Sequence, residues 1–175
     1  MIVSVDEVMD LQEMQGLSET QVKQMLDALE TMIRKYTNNN FQNRFVRFRA
    51  SSIGIVLNGV HPFLTVGDTI QISESRVNDG LYVVTDIGEN SICVDKGLWS
   101  TDHNLVTKVE YPADVKVGVI NLLKWEVGNR DKVGIKSETI SRHSVTYYDQ
   151  DANNQVMGYP VSLLGFLEHY KKARF

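Results

Sequence analysis

Four histidines, one cysteine and a short run of arginines are the side chains of this sequence with most chemistry to offer. His61, His103, His143 and His169 fall 42, 40 and 26 positions apart, and neither H-E-x-x-H nor C-x-x-C occurs. None is paired at the spacing of a metal-ligand motif, so the histidines read as surface or turn residues and no metal is expected. Cys93 lies in the run Ile92-Cys93-Val94. A reactive thiolate needs electropositive surroundings that nothing here supplies, so Cys93 reads as a half-buried packing residue. Gly134-Ile135-Lys136-Ser137 copies the tail of a nucleotide-binding loop, but the leading glycine is one position off. Asp149 to Asn153 imitates a calcium loop, yet Asn154 stands where its glycine belongs and Pro160 where its bidentate glutamate belongs. A hydrolase built around His143 or Cys93 is the weakest reading. No cofactor and no enzymatic activity are expected.

Arg44-Phe45-Val46-Arg47-Phe48-Arg49 is the basic feature. On a strand Arg47 and Arg49 point the same way with Phe45 beside them, and arginines among aromatics can grip a nucleic-acid backbone and stack bases. Three arginines make a short footprint, so a solvated strand face is the plainer reading. The alternative is a stand-alone nucleic-acid-binding module using Arg44, Arg47 and Arg49.

The elements that must carry these residues follow from patterning. The chain has 175 residues with 18 basic and 22 acidic side chains. That length fits one domain, or one domain with a small insert. The hydrophobic content of 42% excludes wholesale disorder. One cysteine cannot make an internal disulfide. No apolar run reaches the ~20 residues of a membrane span, and no signal peptide is expected at Met1 to Asp10.

From Phe63 to Tyr111 there are eight acidic against three basic residues, between Pro62 and Pro112. Within that stretch the hydrophobic period is two: Ile70 and Ile72, Leu81 to Thr85, Ile92 and Val94, Leu105 to Val109. Asn78-Asp79-Gly80 and Gly88-Glu89-Asn90 supply turns. Phe45 to Phe48 and Ile53 to Leu57 add one or two strands. Five or six short strands predict a small antiparallel β-barrel or curled sheet at 44–111, inserted between residues 1–43 and 112–175.

The flanks are helical. Ser4/Glu7 and Ser18/Gln21 have capping-box spacing. Val22, Met25, Leu26, Leu29, Met32, Ile33 and Tyr36 form one apolar stripe, stopped by Asn38-Asn39-Asn40. Asp114 is placed as the cap of a helix that Gly128 ends, and a last helix is expected from Pro160 to Tyr170. The stripe residues Met25, Leu29, Met32, Ile33 and Tyr36 are expected to pack on Val119, Leu122, Leu123 and Leu167. The fold class expected is α+β: a bundle of three to four helices with the β-barrel inserted and a long C-terminal loop, 129–159, whose middle, Thr139 to Tyr148, can form a strand or hairpin. Ser137, Glu138, Ile140, Val145, Tyr147 and Tyr148 belong to a loop too apolar to be left in water, which points to a subunit interface.

The order of these parts resembles the head–tail connector (adaptor, or head-completion) family of long-tailed bacteriophages. Met32 to Phe41 is similar to the family's helix running into a Y-T-x-x-x-F turn. Tyr111-Pro112-Ala113-Asp114-Val115-Lys116 is similar to its return into a core helix. Ile135 to Tyr147 is similar to its S-E-x-I-G-x-x-S-V-T-Y loop, departing at Ser141 where glycine is usual. The insert, with Val66 to Ile70 and Asn78 to Tyr82, resembles small barrels of phage virion proteins. The resemblance implies a protein made in the host cytoplasm and placed in the neck of the virion. There it would form a dodecameric ring, with portal and the next neck or tail-completion protein as partners. Ser137 to Tyr148 would then serve subunit or portal contact, and Arg44, Arg47 and Arg49 non-specific contact with packaged DNA. No membrane partner and no catalysis are implied.

Overall fold

The computed structural model describes residues 1–129 and 155–173, and the backbone of residues 137–140 and 143–146. It is a mixed helix-and-sheet protein dividing into two compact units, Met1–Asn39 with Pro112–Phe175, and Asn40–Tyr111.

In the helical unit, α1 (Val5–Met9) and α2 (Glu19–Thr37) both start in capping boxes. The Ser4 and Ser18 hydroxyls accept the backbone N–H groups of Glu7 and Gln21, whose side chains accept the cap N–H groups in return. Each box satisfies donors the helix itself cannot. A 3-10 turn (Gln12–Met14) lies between them. Helix α2 ends where Asn38 turns left-handed at φ 49°, a conformation asparagine tolerates. After the sheet unit come α3 (Ala113–Asn129) and a C-terminal helix of 3-10 type (Val161–Tyr170), which packs on both α2 and α3.

The buried apolar face of α2 is Val22, Leu26, Leu29, Met32 and Ile33; Val115, Val119, Leu122, Leu123, Leu164 and Leu167 are buried on the later helices. Met25 and Tyr36, expected inside, are only half buried. They sit at the margins of the stripe, and Tyr36 turns its hydroxyl to Glu168. Asp114 is not the cap of α3 but lies in its first turn, and Gly128 lies within the helix rather than past its end. Gly118 is buried on α3, and a Cβ there would overlap the Phe166 ring. Gly118→Ala should therefore destabilise the helical unit by about 1–2 kcal/mol, because the forced ring displacement outweighs alanine's better helix propensity. Chemical denaturation checks this, and an unchanged or raised midpoint would refute the close approach.

The sheet unit has four antiparallel strands, β1 (Gln42–Asn58), β2 (Thr69–Ser73), β3 (Gly80–Ile87) and β4 (Ser91–Val109), in the order β1-β4-β2-β3. The C-terminal part of β4 pairs with β2, and its N-terminal part pairs with β3. The β1/β4 ladder shifts register four times, between Asn43/Arg47, Ala50/Ser52, Ser52/Gly54 and Gly54/Val56. Each irregularity bends and twists the pair, which curls the sheet. Of the barrel and the curled sheet expected, the unit has a curled sheet of four strands, and the barrel is corrected accordingly. It is not closed, because among the described residues β1 pairs with β4 alone. The inner face holds Val46, Ala50, Leu57, Leu64, Ile70, Ile72, Val84, Ile92, Val94, Leu98 and Val106. The period-two runs Ile70/Ile72 and Ile92/Val94 thus both turn inward.

Among the described residues two further ribbons follow α3. Strands β5 (Ser137–Ile140) and β6 (His143–Thr146) pair antiparallel, Ser137 opposite Thr146 and Ile140 opposite His143. Strands β7 (Gln155–Val156) and β8 (Tyr159–Pro160) turn through Met157 and Gly158, both at positive φ.

Candidate functional site

The stretches Tyr36–Asn39 and Pro112–Asp114 meet the C-terminal segment in one hydrogen-bonded clamp. Lys172 donates its backbone N–H to Thr37 O at 2.8 Å. Asn38 Nδ2 donates to Ala173 O at 2.9 Å, and Asn39 Nδ2 to Tyr170 O at 3.2 Å. The Tyr170 hydroxyl reaches both Asp114 carboxylate oxygens at 2.8 Å. The Tyr36 hydroxyl and the Lys171 ammonium share Glu168 Oε1, at 3.0 and 2.7 Å, and Lys171 lies 4.2 Å over the Tyr36 ring. The Lys171 contact, then the Tyr36 hydroxyl, holds the Glu168 carboxyl below its ordinary pKa, and the Asp114 carboxylate raises that of Tyr170. Asparagines that a sequence shows only as helix stops are here the donors that fasten the chain's last described residues.

The ribbon β5–β6 carries Ser137, Glu138, Ile140 and Val145 of the expected interface, and neither strand has a second partner strand among the described residues. Tyr147 and Tyr148 lie outside the described residues, as do Gly134–Lys136 and the calcium-like run Asp149–Asn153.

The arginines are not one patch. The first register shift of β1 falls at Arg44, Phe45 and Val46: Val46 turns into the core while Phe45 is 94% exposed. Arg44 is also exposed. Arg47 is half buried, donating Nε to Thr107 Oγ1 at 2.9 Å and a terminal nitrogen to Gln42 Oε1 at 3.3 Å. Its fork is largely committed to the sheet. Arg49 is exposed, 3.7 Å from Glu74.

Cys93 is half buried on β4, opposite Val56 and Asp86. His61 Nδ1 accepts the Phe63 N–H at 3.4 Å, while His103 and His169 are exposed. Among the described residues no three His, Cys, Asp or Glu side chains form a metal-binding group, and no helix is long and apolar enough to cross a membrane.

Sequence reasoning missed a buried polar cluster in the sheet unit. Asn78 and Asn104 are almost fully buried. Asn78 Oδ1 accepts the Trp99 N–H at 2.8 Å, and its Nδ2 reaches Trp99 O at 2.9 Å, Asn104 Oδ1 at 3.1 Å and Ser52 Oγ at 3.1 Å. Asn104 Nδ2 donates to Ala50 O at 3.0 Å. In sequence, Asn78-Asp79-Gly80 carries only a turn signal. No protein-family model matches the chain, and no curated protein is similar to it in sequence.

Proposed function

We propose that the chain is a structural virion protein of the head–tail connector type. Its subunits form a ring, dodecameric as in the family it resembles, between the portal and the next neck or tail component. The ring extends the DNA channel and completes the filled head, with the curled sheet unit as its insert. The observation carrying this reading is the ribbon β5–β6, set in the long segment between α3 and the C-terminal helix. A lone two-stranded hairpin is marginal in water, and its outer N–H and C=O groups can extend a neighbour's sheet. Unlike faces joined in this way close into rings when the rotation permits. The clamp at Thr37–Asn39 and Asp114 supports the same reading, since two of the three resembling stretches share one structural task.

Native mass spectrometry with and without portal tests it, together with a variant in which Ser137–Thr146 is replaced by glycine and serine. The expected result is a ring on portal for the natural chain and loss of neck occupancy for the variant. Full occupancy and normal DNA retention by a folded variant would overturn the assembly role.

The exposed Phe45 beside Arg44 favours a second reading, a stand-alone nucleic-acid-binding module. Tight, sequence-preferring binding at physiological salt would support it. The connector reading expects weak, sequence-independent binding that moderate salt abolishes.

A further inference from the structure

A polar cleft of about 330 Å³ opens in the sheet unit, lined by Arg49 of β1, Ser75 and Arg76 of the β2–β3 connection, and Thr101, His103 and Asn104 of β4. Acidic residues outnumber basic ones eight to six across Asn40–Tyr111, yet two of the six basic side chains meet in this cleft. Glu74 also lines it, 3.7 Å from Arg49, but both side chains are largely exposed, and such a pair contributes little. Arg76 has no carboxylate within ion-pair distance among the described residues.

The backbone presenting Arg76 is strained. Glu74 and Arg76, neither of them glycine, stand at φ 62° and 67°. Left-handed conformations at such residues persist only where the surroundings impose them, and they concentrate at binding sites. Here the surroundings are visible: Ser75 N–H donates to Asp79 Oδ1 at 2.9 Å, and Asn78 N–H to Ser75 Oγ at 3.1 Å. Asn78 is in turn locked into the buried cluster with Asn104, so the cleft is held in shape before any ligand arrives.

We propose that this cleft binds a phosphate group, held by the guanidinium forks of Arg49 and Arg76. Planar guanidinium groups match phosphate oxygens two at a time, and the Ser75 and Thr101 hydroxyls bring further polar atoms to the same cleft. The phosphate is either that of a nucleic-acid backbone or a free phosphate. The site involves the sheet unit alone, does not depend on ring assembly, and includes Arg76 and His103, which lie outside the arginine run of β1.

The test titrates the full chain with inorganic phosphate and, separately, with a short mixed-sequence DNA duplex at low salt, following the side-chain Nε–Hε resonances of Arg49 and Arg76. Saturable shifts at both arginines are expected. Arg76→Gln should weaken binding about tenfold, the scale of one charged hydrogen-bonding contact. It should also lower the salt slope for duplex by about 0.9. Glu74→Gln should tighten binding several-fold, and more than Glu89→Gln, which makes the same charge change outside the cleft. If Arg76→Gln does not fold, Arg49→Gln carries the same expectation. Duplex displacing phosphate from the arginines would assign the site to a nucleic-acid backbone, and phosphate saturating the site undisturbed by duplex would assign it to free phosphate. No shift at either arginine, or equal effects of Glu74→Gln and Glu89→Gln, would overturn the proposal.

Discussion

Asn78→Ala is expected to remove about 2–4 kcal/mol from the stability of the sheet unit. The reason is what the alanine would leave behind. Asn78 Oδ1 accepts the Trp99 N–H at 2.8 Å, and its Nδ2 donates to Asn104 Oδ1 at 3.1 Å. Trp99 O would keep the Ser52 hydroxyl, 2.7 Å away, as a donor. The buried Asn104 Oδ1 would be left unsatisfied, at a cost of about 1–3 kcal/mol, and the part-buried Trp99 N–H would lose a bond worth about 1 kcal/mol. Asn78→Asp should be no milder, since its acceptor-only carboxylate would face Asn104 Oδ1 and Trp99 O. Urea denaturation of both variants, followed through the intrinsic tryptophan signal and circular dichroism, checks the expectation. A loss below about 1 kcal/mol for Asn78→Ala would show that the cluster is not a keystone of the sheet.

The second large effect concerns where the chain can be cut. Replacing Gln42–Val109 with a short glycine–serine linker should leave a helical remnant with a cooperative thermal transition. The two chain crossings are adjacent, Glu110 N–H donating to Phe41 O at 2.9 Å, with the Phe41 and Tyr111 rings 4.8 Å apart. A short linker therefore spans the gap, and the helical unit keeps its own buried face of Leu26, Leu29, Ile33, Leu122, Leu123 and Leu167. Replacing only Phe63–Glu110, the stretch marked out by charge, should instead give an aggregating product. That cut removes β4, the only strand paired with β1 among the described residues, and strips cover from Val46, Ala50 and Leu57. An unpaired strand of 17 residues with an apolar face is a template for association. Cooperative unfolding by the shorter deletion, or its loss in the longer one, would refute this division of the core.

What the sequence determined by itself is what is settled within a few residues of chain. The capping boxes at Ser4/Glu7 and Ser18/Gln21 form because their partners are three positions apart. Asn38 ends α2 because asparagine accepts left-handed backbone. Ile70/Ile72 and Ile92/Val94 point inward because strand side chains alternate. The ribbon at Ser137–Thr146 follows from a dense run of β-branched residues. The tertiary structure decided whatever depends on a partner far along the chain. Arg47 looked free beside Arg49 until Thr107, 60 residues away, engaged its Nε. Asn78 carries the same turn signal whether it faces water or the buried Asn104, and only the fold selects between them. Met25 and Tyr36 share the period of Leu29 and Ile33, but a helix stripe has margins, and the neighbouring elements set where burial stops. The sheet's failure to close is likewise invisible to periodicity. It lies in β1 having β4 as its one partner strand among the described residues, a pairing between distant segments that local alternation does not encode.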